Sequence, residues 1–475
     1  MPASPSTARA INDRLALSLL AQEGPLTAAR LKQLTGLSRP TVADLVDRLT
    51  AAGLITVVGE SGEQRRGPNA KLYGIVADRA QLAAVDIRTE GVAVVVSDLL
   101  GRVLAEASVP IGDATGTGPA VEQAVTLVER VAKEAGADRL HTVGIGAPGL
   151  IDPASGELRD SSGLPAWHRR LVTALQERLP DARFSVENET NLAALAEQRD
   201  GAARDRDTFV LLWLGVGIGG ALVLDGTLRR GASGGAGELG FLPVPGTRGL
   251  PSATDCDGGF HSLAGAGAVA ALAAEHGVTA AATAHEPEAA ALVRAAVSPV
   301  GGRAAVGGGA SVASAADRVA GIGVPGASAA GQASGVEGGG APVPTAGQAS
   351  GVEASGVSAE VQAAVDEASV GEIAGAGAAR FLDALANRIA LGAAAVISVL
   401  DPGCVVLAGE VGRAGGDVLA RRVQDRLARL SPLPTEVRSS TLGGGAVLRG
   451  ALLTARDRAQ DELFAPPRQL TDRAR

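Results

Sequence analysis

Two glycine-rich runs lie almost back to back in this chain of 475 residues: Gly215-Val-Gly-Ile-Gly-Gly220, then Gly231-Ala-Ser-Gly-Gly-Ala-Gly-Glu-Leu-Gly-Phe241. The first follows an apolar run, Thr208 to Leu214, that reads as a buried strand. Glycine has no Cβ, so glycines clustered at a strand end let backbone amides come close to a phosphate or a sugar. One such loop is equally well explained by a tight turn. Two in tandem, joined by a short hairpin-like stretch over Ala221–Leu228, are far more specific. Glu238, the only carboxylate of the second run, is its natural ligand-facing group.

The first eighty residues have a different grammar. Ile11 to Gln22 carries helical apolar spacing and is closed by Gly24-Pro25. Thr27 caps a second helix over Ala28–Thr35, Gly36 makes a tight turn, and Ser38 caps a third helix with Pro40 in its first turn. In that third helix Val42, Leu45, Val46 and Leu49 form a core stripe, leaving Arg39, Thr41, Ala43, Asp44 and Arg48 on or near the outer face. Helix, short turn, helix is the pattern that presents a helix N-terminus, here Ser38, Arg39 and Thr41, to base edges. Asp44 is discordant: it either accepts from a cytosine amino group or stands aside from the phosphates. Gly53–Val58 and Lys71–Val76 read as the strands of a hairpin wing whose loop carries Arg65 and Arg66, with Lys71 at its foot, placed for a minor groove or phosphates. A small protein-interaction domain with a solvated charged loop is the competing reading.

Charge agrees with a nucleic-acid-facing head. Ten Lys and Arg against seven Asp and Glu give residues 1–80 a charge of +3, while the whole chain carries −8, leaving −11 for the rest. That acidic body argues against general coating of nucleic acid. Two cysteines, Cys256 and Cys404, give no disulfide framework and suit a reducing cytoplasm. No run of ~20 uninterrupted apolar residues suggests a membrane span, and no signal pattern opens the chain.

From Gln81 strands and helices alternate: Leu82–Asp86, Val92–Ser97 and Val103–Val109, a helix over Gly118–Ala135, and a strand at His141–Ile145 running into Gly146-Ala-Pro-Gly-Leu-Ile-Asp152. This order, the segments Leu164-Pro-Ala-Trp167 and Val186-Glu-Asn-Glu-Thr-Asn191, and the tandem glycine loops resemble the ROK family, sugar kinases and sugar-responsive repressors that share an actin-like ATPase fold. The stretch Leu34–Ile55 resembles the winged helix at the head of its repressors. The resemblance implies an α/β chain, a winged helix-turn-helix followed by a two-lobed actin-like body. The expected domains are 1–80 for the head, 81–205 for the first lobe, and 206–297 with 359–465 for the second, whose last helix could return to the first. A Gly/Ala/Ser-rich insertion at 298–358, with an octapeptide repeated at Ala330–Glu337 and Ala346–Glu353, is expected to be disordered.

The chemistry of the kinases does not carry over position by position. The family's phosphate loop, Asp-x-Gly-Gly-Thr-Lys, reads here Asp86-Ile-Arg-Thr-Glu-Gly91, so both central glycines are lost and Glu90 puts a negative charge where a polyphosphate would lie. The resemblance makes an aspartate the base, and Glu189 stands in its place. The zinc-ligating histidine is Phe241, and the zinc knuckle reads Asp255-Cys-Asp-Gly-Gly-Phe-His-Ser-Leu-Ala264, keeping none of the ligand types in place. The family zinc site is therefore expected to be lost, with Asp255, Cys256, Asp257 and His261 as metal-competent side chains for a substitute. Glu410 stands where the nucleoside-side motif has a third glycine. The expected function is a DNA-binding regulator, a repressor of carbohydrate genes, with no enzymatic activity and no cofactor. Its expected partners are an operator duplex, a sugar or sugar-phosphate effector facing Asn188, Glu189 and Glu238, and a second copy or two in a dimer or dimer of dimers. An active carbohydrate kinase and a constitutive regulator whose body only dimerises are the rivals.

Overall fold

The computed structural model describes residues 5–61, 69–112, 114–159, 164–252, 255–281, 286–298 and 359–465. The octapeptide repeats and most of the low-complexity insertion lie outside the described residues, as do Arg65 and Arg66.

The head is built from α1 (Pro5–Glu23), β1 (Leu26–Thr27), α2 (Ala28–Thr35), α3 (Arg39–Ala51), β2 (Ile55–Ser61) and β3 (Ala70–Ile75). The caps act as their residue types dictate: Thr27 accepts from the Arg30 amide at 3.2 Å and Ser38 from the Thr41 amide at 3.4 Å. Val42, Leu45, Val46 and Leu49 are all buried. The three strands pair in the order β1-β3-β2, so the wing hairpin is tied to the turn ahead of α2.

The first lobe comprises β4 (Gln81–Arg88), β5 (Gly91–Asp98), β6 (Val103–Pro110), α4 (Thr117–Glu134), β7 (Leu140–Ala147), α5 (Trp167–Arg178), β8 (Arg183–Asn188) and α6 (Glu189–Asp200). Its sheet runs β6-β5-β4-β7-β8, antiparallel on one side of β4 and parallel on the other. The second lobe has β9 (Phe209–Leu214), β10 (Ile218–Leu224), β11 (Thr227–Arg229), α7 (His261–Ala264), α8 (Ala266–Glu275), α9 (Glu288–Val297), α10 (Ala359–Leu400), β12 (Cys404–Ala408), α11 (Gly409–Leu430), β13 (Glu436–Ser439) and α12 (Ala446–Leu463). Its sheet order, β11-β10-β9-β12-β13, repeats that of the first lobe in topology and strand direction. Parallel strands cluster at β4-β7-β8 and β9-β12-β13, and ligands bind at the carboxyl ends of such strands; there β8 runs directly into α6 and β12 into α11.

Two elements depart from expectation for clear reasons. The strand at Leu82 continues past Asp86 to Arg88, because Arg88 pairs with Gly91 and only Thr89-Glu90 is left to turn the hairpin. The Gly375–Leu400 part of α10 has the length and mean hydropathy of a membrane span, but Phe381, Leu382, Leu385, Ile389 and Ile397 are buried in the second lobe's core. It is a core helix.

The last helix leaves the second lobe and crosses onto the first. Val447, Ala451, Leu452, Ala455 and Ala459 of α12 share a core with Leu82 and Ala84 of β4 and with Leu192 of α6. That same core continues through Leu99 and Phe464 to Ala16, Leu17 and Leu20 of α1. Head and first lobe are therefore welded by apolar packing, not merely strung on a linker.

Candidate effector cleft and nucleic-acid interface

On the head, the outward side of α3 shows Arg39, Ala43, Asp44 and Asp47 to solvent, with Thr41 half-buried. Thr41 Oγ1 lies 2.8 Å from Ser38 Oγ, so these two hydroxyls close the helix N-terminus together. Arg48 is engaged within the head: its guanidinium pairs with Asp13 of α1 at 2.5 Å and with Asp44 one turn back. Both carboxylates raise its already high pKa, Asp13 most. Arg48 is shared between two carboxylates, so it offsets only part of the Asp44 charge on this face. Lys71 is exposed on β3 opposite Glu60.

In the body, the end of β8 delivers Glu187 and Asn188 to the cleft, and the first residue of α6 delivers Glu189. Asn188 is the N-cap of α6: its Oδ1 accepts from the Thr190 and Asn191 amides at 2.9 and 3.2 Å, and its Nδ2 donates to the Gly149 carbonyl and to Glu189 Oε2. All its polar atoms are spent on architecture. Buried Glu187 accepts from Asn191 Nδ2 at 2.9 Å and from Arg230 Nε at 2.5 Å. Arg230 leads into the second glycine run, so this ion pair fastens that run to the first lobe. Gly237 in the run has φ +98°, and a Cβ there would strike the Gly220 carbonyl of the first run, which is why the tandem loops need glycine where they touch.

Carboxylates dominate the cleft. Glu189 is pushed up to about 8, first by burial and then by Asp86, Glu238 and Glu410. Burial also raises Glu238 and Glu410. Asp86 is buried and raised as well, despite an ion pair to Arg88 at 2.6 Å. Arg88 reaches across to donate to the Gly444 carbonyl at 2.9 Å and feels Glu410 and Glu90. Glu410 lies against the first glycine run: a Cβ on Gly215 would sit 2.5 Å from Glu410 Oε2 and 2.8 Å from Trp213 Nε1. The space over the first glycine loop, which a phosphate would need, is thus faced by this chain's own carboxylate.

Sequence reasoning expected Asn188, Glu189 and Glu238 at one site; in the structure the Glu238 charge helps to raise Glu189, whereas burial alone raises Glu238. It missed the Glu187–Arg230 latch, the Arg88–Gly444 bridge and the charge role of Glu410. Arg88 in place of a loop glycine was the visible signal, since a guanidinium beside Asp86 must find acceptors.

One consequence is testable on stability. Between about pH 4.5 and 8 folded Glu189 holds a proton that the unfolded chain releases, so this group makes stability fall as pH rises across that window. Glu189→Gln should remove that slope, stabilising the protein by about 1–3 kcal/mol at pH 8 and little at pH 4.5 in urea denaturation. An unchanged slope would contradict the buried cluster.

The residues do not fit the zinc that the resemblance implies. Phe241 offers no donor, Asp257 turns its amide onto Asp255 Oδ1 at 2.9 Å, and among the described residues no three His, Cys, Asp or Glu side chains gather as a metal would require.

The ROK family model matches residues 82–295 and 350–458, and a MarR family model matches residues 11–67. The xylose repressor of Caldicellulosiruptor bescii is 25% identical over 238 residues, 49% of this chain and 59% of that protein. The glucokinase of Thermotoga maritima is 40% identical over 102 residues, 22% of this chain and 32% of that protein. This chain thus spans less than two thirds of the length of these curated relatives. A solved ROK family transcriptional regulator, a homolog of the Escherichia coli MLC protein, superposes with a TM-score of 0.62 at 18% identity, over 96% of this chain and 98% of that one. With the body's two repeated sheets and the capped, winged head in place, these matches settle the family: the chain belongs to the ROK family, with a MarR-type winged-helix head ahead of an actin-like body.

Proposed function

We propose that this chain is a DNA-binding transcriptional regulator, a repressor of carbohydrate genes, whose kinase-like body senses a sugar and does not phosphorylate it. The observation that carries the second half is the phosphate side of the cleft. Arg88 and Glu90 occupy the loop that would cradle a triphosphate, and Glu410 faces the glycine run beyond it. Like charges confined together cost several kcal/mol, so this cleft repels polyphosphate. The same reasoning narrows the effector. With Asp86, Glu189, Glu238 and Glu410 on one cleft and Arg88 already paired, an uncharged sugar fits better than a sugar phosphate. Glu238 is its foremost contact, Glu189 in its neutral form a hydrogen-bond donor, and Asn188 a support behind them.

The head's contacts with an operator would come from Ser38, Arg39 and Thr41 at the start of α3, from Lys71, and from Arg65 and Arg66 at the wing tip. Arg48 and Asp44 support that surface as an internal pair. Two copies would present two such helices one helical turn apart, about 34 Å. Helix α12 offers the link between cleft and head. Its N-terminal approach is held by Arg88 at Gly444, while Asp461 near its other end pairs with Arg14 of α1 and Phe464 packs into the shared core. Eighteen residues of helix carry that connection about 27 Å. The experiment is release of operator DNA by a sugar panel in wild type and Glu238→Ala, with ATP turnover assayed on the same protein. Turnover with any sugar would establish the kinase reading instead.

A further inference from the structure

A recess of about 640 Å³ opens at the foot of the head, far from the cleft. It lies at the amino ends of β4, β7 and β8, whereas Asp86 and Asn188 sit at the carboxyl ends of β4 and β8. Three guanidiniums line it from three separate segments: Arg79 from the linker between head and body, Arg139 from the turn before β7, and Arg183 from the first residue of β8. His141 stands among them, its Nδ1 2.9 Å from Thr142 Oγ1.

The arginines are loosely held. Arg139 meets Asp181 only at 3.9 Å, with both side chains about 70% exposed. Arg183 pairs with Glu462 of α12 at 3.3 Å, and Arg79 has no ion pair among the described residues. Asp78, Asp138 and Asp181 line it as well, so the recess holds three acids beside its three guanidiniums. Burial holds the His141 imidazole below its usual range, and Arg183, Arg139 and Arg79 push the same way against Glu462. All three guanidiniums therefore act on this one imidazole.

We propose that this recess is a second ligand site, one that takes a small phosphate monoester on Arg79, Arg139 and Arg183. Guanidinium forks match phosphate oxygens two at a time, and a dianion satisfies three of them better than a single carboxylate does. A concave volume of this size is that of a small-molecule site, not of a ridge tracking a nucleic-acid backbone. The position gives the ligand something to do. The linker here is pinned by the Leu99 amide on the Ala77 carbonyl at 2.9 Å, so a bound oxyanion would clamp Arg79 onto the first lobe directly beneath the head. It would also draw Arg183 away from Glu462, the neighbour of the Asp461 that pairs with Arg14 of α1. The site thus reports phosphorylated metabolites to the head, while the acidic cleft rejects them.

The full-length chain is titrated with inorganic phosphate and with glucose 6-phosphate at constant ionic strength, with chloride as the matched control, by calorimetry and thermal shift. Both phosphates are expected to bind saturably and to raise Tm. Arg79→Ala and Arg139→Ala are each expected to weaken binding about tenfold, and Glu238→Ala in the cleft to leave it unchanged. Binding equal in the arginine variants and wild type, or a thermal shift no larger than that with chloride, would overturn the proposal. So would arginine variants that bind phosphate normally but hold operator DNA more weakly with a shallower salt dependence, because the arginines would then be backbone contacts.

Discussion

Glu197→Ala is expected to destabilise the protein by about 3–5 kcal/mol, the largest single-residue stability effect in the body. Glu197 is fully buried on α6, and its two oxygens collect five donors. These are the Ala202 amide at 2.6 Å, Ser440 Oγ at 2.5 Å, Thr441 Oγ1 at 3.3 Å, and the Thr441 and Leu442 amides at 3.5 and 3.2 Å. The four from Ser440, Thr441 and Leu442 hold the chain between β13 and α12 onto the first lobe, just ahead of the Gly444 that Arg88 grips. Truncation strands those donors away from water, and each orphan costs about 1–3 kcal/mol. Glu197→Gln keeps one acceptor oxygen and turns an amide against donors, so it should fall between alanine and wild type. If the alanine variant does not fold, the glutamine variant supplies the reading. A loss below about 1 kcal/mol for alanine in urea denaturation would mean that this carboxylate is not the anchor the contacts describe.

The second large effect is on DNA. Arg39→Glu should weaken operator binding at least about 100-fold, because it removes a contact worth about 1–3 kcal/mol to a base edge and adds repulsion from the phosphates. The fold should not notice. Arg39 is exposed at the first position of α3, and an acidic residue there suits the helix dipole. Unchanged urea denaturation beside lost binding therefore separates contact from structure. Operator affinity within about twofold of wild type would remove Arg39 from the interface.

What the sequence disclosed follows from how local each signal is. The caps at Thr27 and Ser38, the buried stripe of α3 and the alternating strands are written within a few residues of where they act, and the structure has them there. The far partners are not. Arg48 engages Asp13, 35 residues away; Arg88 and Gly444 are 356 apart; Glu197 and Ser440 are 243 apart. No periodicity encodes such pairs. Asn188 shows a subtler limit, since an asparagine ahead of a helix looks the same whether it contacts a ligand or caps the helix, and here its polar atoms are taken by the cap and its neighbours. The duplicated sheet order was also hidden, because topology can repeat while side chains diverge. The losses at the phosphate loop were legible because they replace glycine with charge, a change of chemistry as well as of shape.

Fluorescence anisotropy on a duplex selected by this chain tests most directly whether a DNA-reading head is coupled to a sugar-sensing, non-phosphorylating cleft. At least one uncharged sugar is expected to lower operator affinity about tenfold or more, its 6-phosphate not to act through the cleft, and Glu238→Ala to abolish the response without weakening the sugar-free complex. The contradicting result is a chain that binds the selected duplex no better than a scrambled one, or whose operator complex is indifferent to every sugar in both proteins.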